Sequence, residues 1–249
     1  MTVLSGPLDQ AIRETVHRSG GVDLSGDPRE SLSLLAAPIT TLFDLSDEGM
    51  ALLNPEATVE RQVEAWLDAG CVADARRLLA HALPPRHALW WALLCLTEAH
   101  HRNPYPDTVA SAFATVLDFV LGPTDAGRRA CLEASNQAGS TTAGGVVASA
   151  AFLSGGSMAP ADCPPVLPGA HLCGRMCGVA VYLASVRFNP AKYKAHLAHF
   201  IAVGLGVARG EVEIPETPAE TAVEAPAPVA VAEVEKVAVP AEKGGTWAS

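Results

Sequence analysis

"RHALWWALLCLTEAHHR", residues 86–102, decides the fold class of this chain. From Ala88 to Leu96 nearly every side chain is apolar, so a helix through this stretch has no face to offer to solvent. The run does not alternate as a half-buried strand does, and it is shorter than the roughly 20 apolar residues that span a membrane. We therefore expect a buried helix at the centre of a helical domain.

Amphipathic helices are predicted on both sides of this central helix. Apolar residues recur every three or four positions from Val59 to Leu205, the connections between these patterns are short, and no stretch alternates as a strand would. The Asn54–Pro55 pair is typical of a helix start and predicts where the first of these helices begins. One long irregular connection is expected over 154–169. The predicted fold is all-α, a compact and irregular helical bundle.

Composition divides the chain of 249 residues into three parts. Residues 1–53 are punctuated by glycine and proline, and predict short helices and loops packed on the body. Residues 54–209 form the helical domain. Residues 210–249 are rich in proline, alanine, valine and glutamate, with eight glutamates and only two lysines from Glu211 onward. This composition predicts a disordered acidic tail.

Charge excludes several classes of partner. The net charge is −10 and no lysine occurs before Lys192, so the basic surface that nucleic acids or anionic lipids require is missing. No apolar run is long enough for membrane insertion, and Asp9 interrupts the N-terminus before a signal peptide could develop. We expect a cytoplasmic protein, in which the six cysteines are reduced.

The stretch "DCPPVLPGAHLCGRMC", residues 162–177, raises the question of a metal or thiol site. Cys163, His171, Cys173 and Cys177 supply the sulfur and nitrogen ligands that zinc prefers. The spacing argues against zinc, because structural sites usually take paired ligands from a C-x2-C turn, whereas Cys173 and Cys177 lie four residues apart on one predicted helix. We expect no metal and no cofactor. The alternative is a metal site formed by these four residues.

Helix packing offers another explanation for the same cysteines. In the helix predicted over 171–188, larger apolar residues recur at steps of three and four and predict the core-facing stripe: Leu172, Met176, Val179, Leu183 and Val186. Cys173 and Cys177 belong to a strip of small residues beside that stripe, and Gly174 and Gly178 form a second strip. Such strips let a neighbouring helix approach closely.

Tryptophans are the candidate interaction residues. Trp90 and Trp91 are adjacent, and neighbours on a helix point about 100° apart. One ring can fill the core while the other packs elsewhere or stays partly open as an interface anchor, although burial of both is the simpler expectation. Trp247, near the end of the acidic tail, is a third candidate for docking to a partner.

Two blocks of this sequence resemble a known family. They are "RRLLAHALPPRHALWWALLC", residues 76–95, and "FLSGGSMAPADCPPVLPGAHL", residues 152–172. The first is similar to a Leu/Ala-rich helix, a Leu-Pro-Arg turn and a Trp-Trp-Ala helix, and the second to a Ser-Gly-Gly-Ser turn with a proline-rich loop, in uncharacterised bacterial helical proteins encoded beside type VI secretion components. The resemblance covers roughly Val59 to Leu205. It implies a place near secretion machinery, transfers no catalytic residue and does not include the cysteines.

These observations favour a non-enzymatic accessory protein, an adaptor or chaperone-like partner associated with type VI secretion. The sequence shows no G-x-S-x-G or H-E-x-x-H motif, and no cysteine beside an evident base. We expect a protein partner, either a secretion component or cargo. A metal- or thiol-dependent protein that uses the four residues above and a self-assembling structural subunit are the alternatives, and the oligomeric state stays open.

Overall fold

The structure, a computed structural model, describes residues 24–160, 162–187 and 189–215. Over these residues the chain forms eleven α-helices and one short 3-10 helix, and the only β pairing is an isolated bridge between Leu35 and Thr58. The predicted all-α bundle is confirmed. Residues 1–23 and 216–249, and with them Trp247 and most of the predicted tail, lie outside the described part.

Three short helices precede the longer ones: α1 (Pro28–Ser33), α2 (Ala36–Thr40) and α3 (Asp47–Ala51). Eight longer helices follow: α4 (Val59–Asp68), α5 (Val72–Ala82), α6 (Pro85–Arg102), α7 (Asp107–Leu121), α8 (Asp125–Ala138), α9 (Ala143–Phe152), α10 (Leu172–Val186) and α11 (Tyr193–Ala208). The 3-10 turn Pro190–Lys192 leads into α11. Of the short helices, α1 packs against α4 and α11, and α2 packs against α5.

The first long helix begins later than predicted. Asn54 Oδ1 accepts a hydrogen bond from the backbone N–H of Glu56 at 3.0 Å and closes a turn ahead of the helix. Thr58 caps α4 instead, its hydroxyl accepting a backbone N–H three residues on at 3.5 Å. The predicted start at Asn54–Pro55 was wrong because an asparagine side chain stabilises a turn as readily as a helix N-terminus.

Helix α6 lies at the centre of the bundle, with α7, α9, α10 and α11 packed against it. Trp91 is fully buried, and its indole Nε1–H donates to the carbonyl oxygen of Phe200 in α11 at 2.7 Å. A Cβ at Gly204 would lie 2.6 Å from Cε2 of the same ring. Glycine at this position therefore sets how closely α11 approaches the central helix.

Helix α10 turns a different face to the core from the predicted one. Its buried side is made of small residues: Cys173, Cys177, Gly178, Ala180, Val181, Ala184 and Ser185. The residues of the predicted stripe are only partly buried, and Val179 is exposed. The predicted stripe was wrong because α10 packs against α5, α6, α9 and α11 together, and small side chains permit those close approaches.

The long connection between α9 and α10 is anchored by Arg128, which is fully buried in α8. Its guanidinium donates to the carboxylate of Asp125 at 2.9 and 2.5 Å. It also donates to the carbonyl oxygens of Phe152 and Ser157 at 3.0 and 2.7 Å. Gly156, with a φ of +67°, brings the loop backbone against this guanidinium. The buried charge is thus paired and hydrogen-bonded, as a structural arginine must be.

We predict that Gly204→Ala destabilises the fold, because the added methyl overlaps the Trp91 ring and the tip of Leu79. Overpacking of this kind costs about 1–3 kcal/mol, which lowers the melting temperature of a domain of this size by about 2–10 °C. Thermal unfolding followed by circular dichroism measures the change. Gly122→Ala is the matched control, since its Cβ would meet nothing closer than 3.8 Å. Equal melting temperatures for the two variants would contradict the proposed role of Gly204.

Candidate functional site

A cleft of about 440 Å³ opens between the α2–α3 loop, α5 and α10. Its lining comes from Thr41, Leu42, Phe43 and Asp44 in the loop, Arg76, Arg77, Ala80 and His81 in α5, and Arg175, Gly178 and Val179 in α10. The two helices approach closely because Gly174 and Gly178 have no side chain. A Cβ at Gly174 would collide with the Ala80 carbonyl, and one at Gly178 would lie 3.3 Å from the Ala80 Cβ. The predicted role of the two glycines in close helix approach is confirmed.

Arg76 is the most deeply buried cation of this cleft, with 8% of its surface exposed. Its Nη1 donates to the carbonyl oxygen of Gly178, and the guanidinium lies 5.7 Å from the centre of the Tyr182 ring. The Nε–H is buried without a hydrogen-bond partner among the described residues, a loss that costs about 1–3 kcal/mol. Burial, followed by the charge of Arg77, lowers the pKa of Arg76 to about 10, so it stays a cation at neutral pH.

His81 contributes a second unpartnered nitrogen. Its Nδ1 lies 2.8 Å from the carbonyl oxygen of Arg77, and because a carbonyl only accepts, Nδ1 holds the hydrogen. Nε2 is then an acceptor in the neutral ring, and it is buried with no partner in the described part of the chain. The ring packs on Phe43 at 5.2 Å between centroids. Burial lowers the pKa of His81, although the hydrogen bond to the Arg77 carbonyl acts in the opposite direction. Because of this lowered pKa, the ring is neutral at pH 7.

The charges that line the cleft do not cancel. Arg77 forms an ion pair with Asp74 at 3.0 Å, whereas Arg175 is exposed and forms no ion pair with any described residue. Asp44 is the one carboxylate among the lining residues, against three arginines. A cationic cleft on a chain of net charge −10 concentrates anions locally.

Apolar side chains border the cations. Leu42 and Val179 are 45% and 37% exposed at the edge of the cleft, and Tyr182, which contacts Arg76, is 40% exposed. Guanidinium N–H groups bind carboxylates and other oxyanions through charge-assisted hydrogen bonds. The arrangement can therefore hold an anionic group while the surrounding apolar side chains contact the carbon atoms of the same ligand.

The tryptophans predicted as interaction residues separate in the structure. Trp91 belongs to the core and is closed to a partner. Trp90 is partly buried, packs against the core, and has a buried indole N–H with no hydrogen-bond partner among the described residues. Trp247 lies outside the described residues. Burial of both rings, the simpler expectation, therefore holds for Trp91 and not fully for Trp90, which is only partly buried.

The cysteine set is not brought together. Cys163 is exposed, whereas Cys173 and Cys177 are buried in α10. Across residues 24–160, 162–187 and 189–215, no three His, Cys, Asp or Glu side chains are grouped so that they could hold a metal ion, and this covers His171 as well. Burial, reinforced by the hydrogen bond with Cys173, raises the pKa of Cys177 well above its usual value. A neutral buried thiol fits the packing interpretation and not a metal-bound thiolate.

Sequence reasoning missed the four basic residues of the cleft, Arg76, Arg77, His81 and Arg175. Two sequence features could have indicated them. The first three lie within two turns of one helix, on its polar side, and Arg175 lies in the long stretch between Asp162 and Glu211 that contains no acidic residue. Neither feature shows which helices are neighbours, and the cleft exists only where α5 meets α10.

Comparison with family profiles gives one finding: residues 62–208 match a family of unknown function, DUF6931. The match covers more than half of the chain. The chain belongs to the DUF6931 family. Its matched segment runs from within α4 to the end of α11 and so includes all four basic residues of the cleft, while Asp44 and the α2–α3 loop precede it. The expected membership of an uncharacterised family is confirmed, over nearly the expected extent of the chain.

Comparison with curated proteins and comparison with solved structures find no match to the chain. Within the DUF6931 segment and the other described residues, every helix is too short or too polar to cross a lipid bilayer.

We predict that acidification destabilises this DUF6931 chain partly through His81. Its pKa in the folded state lies below the 6.5 of a free side chain, so the unfolded chain binds more protons in the interval between the two values. The contribution of neutral His81 to the free energy of unfolding is therefore fully present above about pH 6.5, and it is lost as the pH falls toward the folded-state pKa. Melting temperatures between pH 7.5 and pH 5.5 should fall less in His81→Gln than in the wild type. The control is His101→Gln, which replaces an exposed histidine and should keep the fall of the wild type. If the melting temperature of His81→Gln also falls as much as that of the wild type, His81 is not the group responsible.

Proposed function

We propose that this chain is a non-enzymatic adaptor or chaperone-like accessory protein that binds an acidic segment of a protein partner in the arginine-lined cleft. We place it in the cytoplasm, in association with a type VI secretion system. The observation on which this proposal rests is the excess of arginine over aspartate in a cleft with an apolar edge. Arginine and exposed aromatic side chains are the residues that protein interfaces favour.

Charge complementarity selects the type of partner. Residues 54–209 carry twelve Lys and Arg against eleven Asp and Glu, so long-range attraction toward a polyanion is weak, and a short anionic segment can respond to the local positive potential of the cleft. A volume of about 440 Å³ admits a few side chains and not a folded domain. An exposed acidic segment with some apolar residues fits these limits.

The secretion assignment is supported by where the cleft residues lie in the sequence. The block of residues 76–95 that resembles secretion-associated proteins contains Arg76, Arg77 and His81. The second block, residues 152–172, ends where α10 begins, three residues before Arg175. The first block thus supplies cleft residues, whereas the second ends before the first cleft residue of α10.

Charge reversal tests the proposal. Tagged wild-type protein and Arg175→Glu are purified from the native host, and the proteins recovered with each are quantified by mass spectrometry. We expect the wild type to recover a secretion component or a secreted cargo, and Arg175→Glu to recover about tenfold less of it, because the exposed guanidinium is replaced by a repelling carboxylate. The control is Arg61→Glu, the same change at an exposed arginine in α4 that lies outside the cleft.

Three outcomes would contradict the proposal. One is recovery of no secretion component by the wild type. Another is equal recovery by Arg175→Glu and the wild type, which would exclude the cleft as the binding surface. The third is loss of the partner in both charge reversals, which would indicate a general electrostatic effect and not a site. Light scattering of the purified wild type determines in parallel whether the chain binds copies of itself instead.

A further inference from the structure

Two buried polar atoms of the cleft have no hydrogen-bond partner among the residues that the structure describes. Arg76 Nε is a donor, and His81 Nε2 becomes a donor once the ring is protonated. Buried polar groups without a partner in the protein usually meet a water, an ion or a ligand. Both side chains line the same cleft, so a charged group bound there acts on both.

We infer that the floor of the cleft is a subsite for one carboxylate of the partner's acidic segment, held by Arg76 and Arg175, and that His81 takes up a proton from water when this carboxylate binds. The inference rests on the proposed function of the cleft. It adds the group that is recognised and a dependence of binding on pH.

The protonation follows from the charges that face His81. On its own helix His81 faces the charge of Arg76 and the backbone carbonyl of Arg77, and from the α10 side it faces His171 and the charge of Arg175. The two guanidinium charges oppose a further positive charge, and the Arg77 charge is shared with Asp74. The α2–α3 loop contributes Phe43, which packs on the ring, and Asp44, the one lining carboxylate.

A bound carboxylate reverses this balance. It adds a negative charge among these cations, and that charge favours the protonated form of His81. Binding and protonation then favour each other, so affinity is higher at a pH below the bound-state pKa of His81 and falls as the pH rises through it. Nδ1 keeps its hydrogen bond to the Arg77 carbonyl in both states, so the ring need not turn.

Isothermal titration calorimetry with a defined peptide tests the subsite. The probe is acetyl-leucyl-glutamyl-glutamyl-leucine amide, titrated into the full-length chain at pH 6.0 and pH 8.0, and the glutamine analogue is the uncharged control. We expect one peptide per chain, an affinity about five to ten times higher at pH 6.0, and no binding of the analogue. Titrations at pH 6.0 in two buffers of different ionisation enthalpy should show uptake of about half a proton or more per peptide.

Variants test whether His81 is the residue that takes up the proton when the peptide binds. His81→Gln should bind the peptide with the same affinity at both pH values, within about twofold, whereas His171→Gln should keep the pH dependence. Arg175→Glu should weaken binding at both pH values. Circular dichroism confirms that each variant is folded, and the proton uptake of the wild type tests the inference even if His81→Gln does not fold.

The results separate this inference from the proposed function. Peptide binding without proton uptake, or with a pH dependence that persists in His81→Gln, overturns the role of His81 and leaves the adaptor proposal intact. Sodium acetate that binds as tightly as the peptide overturns the acidic protein segment as the ligand. Peptide binding with uptake assigned to His81, together with failure to recover a partner from the host, supports the subsite and removes the adaptor role.

Discussion

The contact between α5 and α10 is the constraint on which the site depends. Gly174 and Gly178 face Ala80: a Cβ at Gly174 would collide with the Ala80 carbonyl, and one at Gly178 would lie 3.3 Å from the Ala80 Cβ. This proximity lets Arg76 reach across to the carbonyl of Gly178 and brings Arg175 to the same cleft. The glycines contribute no chemistry of their own, yet they determine where the guanidinium groups of two helices meet.

Two buried arginines show the difference between a structural cation and one that is prepared for a ligand. Arg128 is paired with Asp125 and donates to two loop carbonyls, so its charge and its N–H groups are satisfied within the fold. Arg76 has one carbonyl, an aromatic ring and a neighbouring cation, and its Nε–H lacks a partner among the described residues. Burying a cation without a counter-ion is costly. A ligand carboxylate would compensate that cost at Arg76, whereas Arg128 offers nothing to a ligand.

The helices could be predicted from the sequence because local patterns determine them, and the cleft could not. The apolar run of α6 extends around the whole helix and by itself indicates a central position, and the glycines of α10 indicate a close neighbour. The core-facing side of α10 was predicted wrongly, since the rule that large residues face inward fails where four helices crowd one another. The cations of the cleft come from two helices nearly 100 residues apart in sequence, so no local motif joins them.

The charge distribution explains how such a cleft can be selective on an acidic protein. A basic surface that extends over a whole domain attracts nucleic acids and anionic membranes indiscriminately. Here three arginines meet in one cleft, while residues 54–209 as a whole carry twelve Lys and Arg against eleven Asp and Glu and so lack the broad positive field that draws polyanions. A ligand must therefore present its carboxylate on a segment narrow enough to enter, with apolar atoms beside it to meet Leu42 and Val179. The small volume of the cleft and the attraction within it together favour a short acidic protein segment over any larger anion.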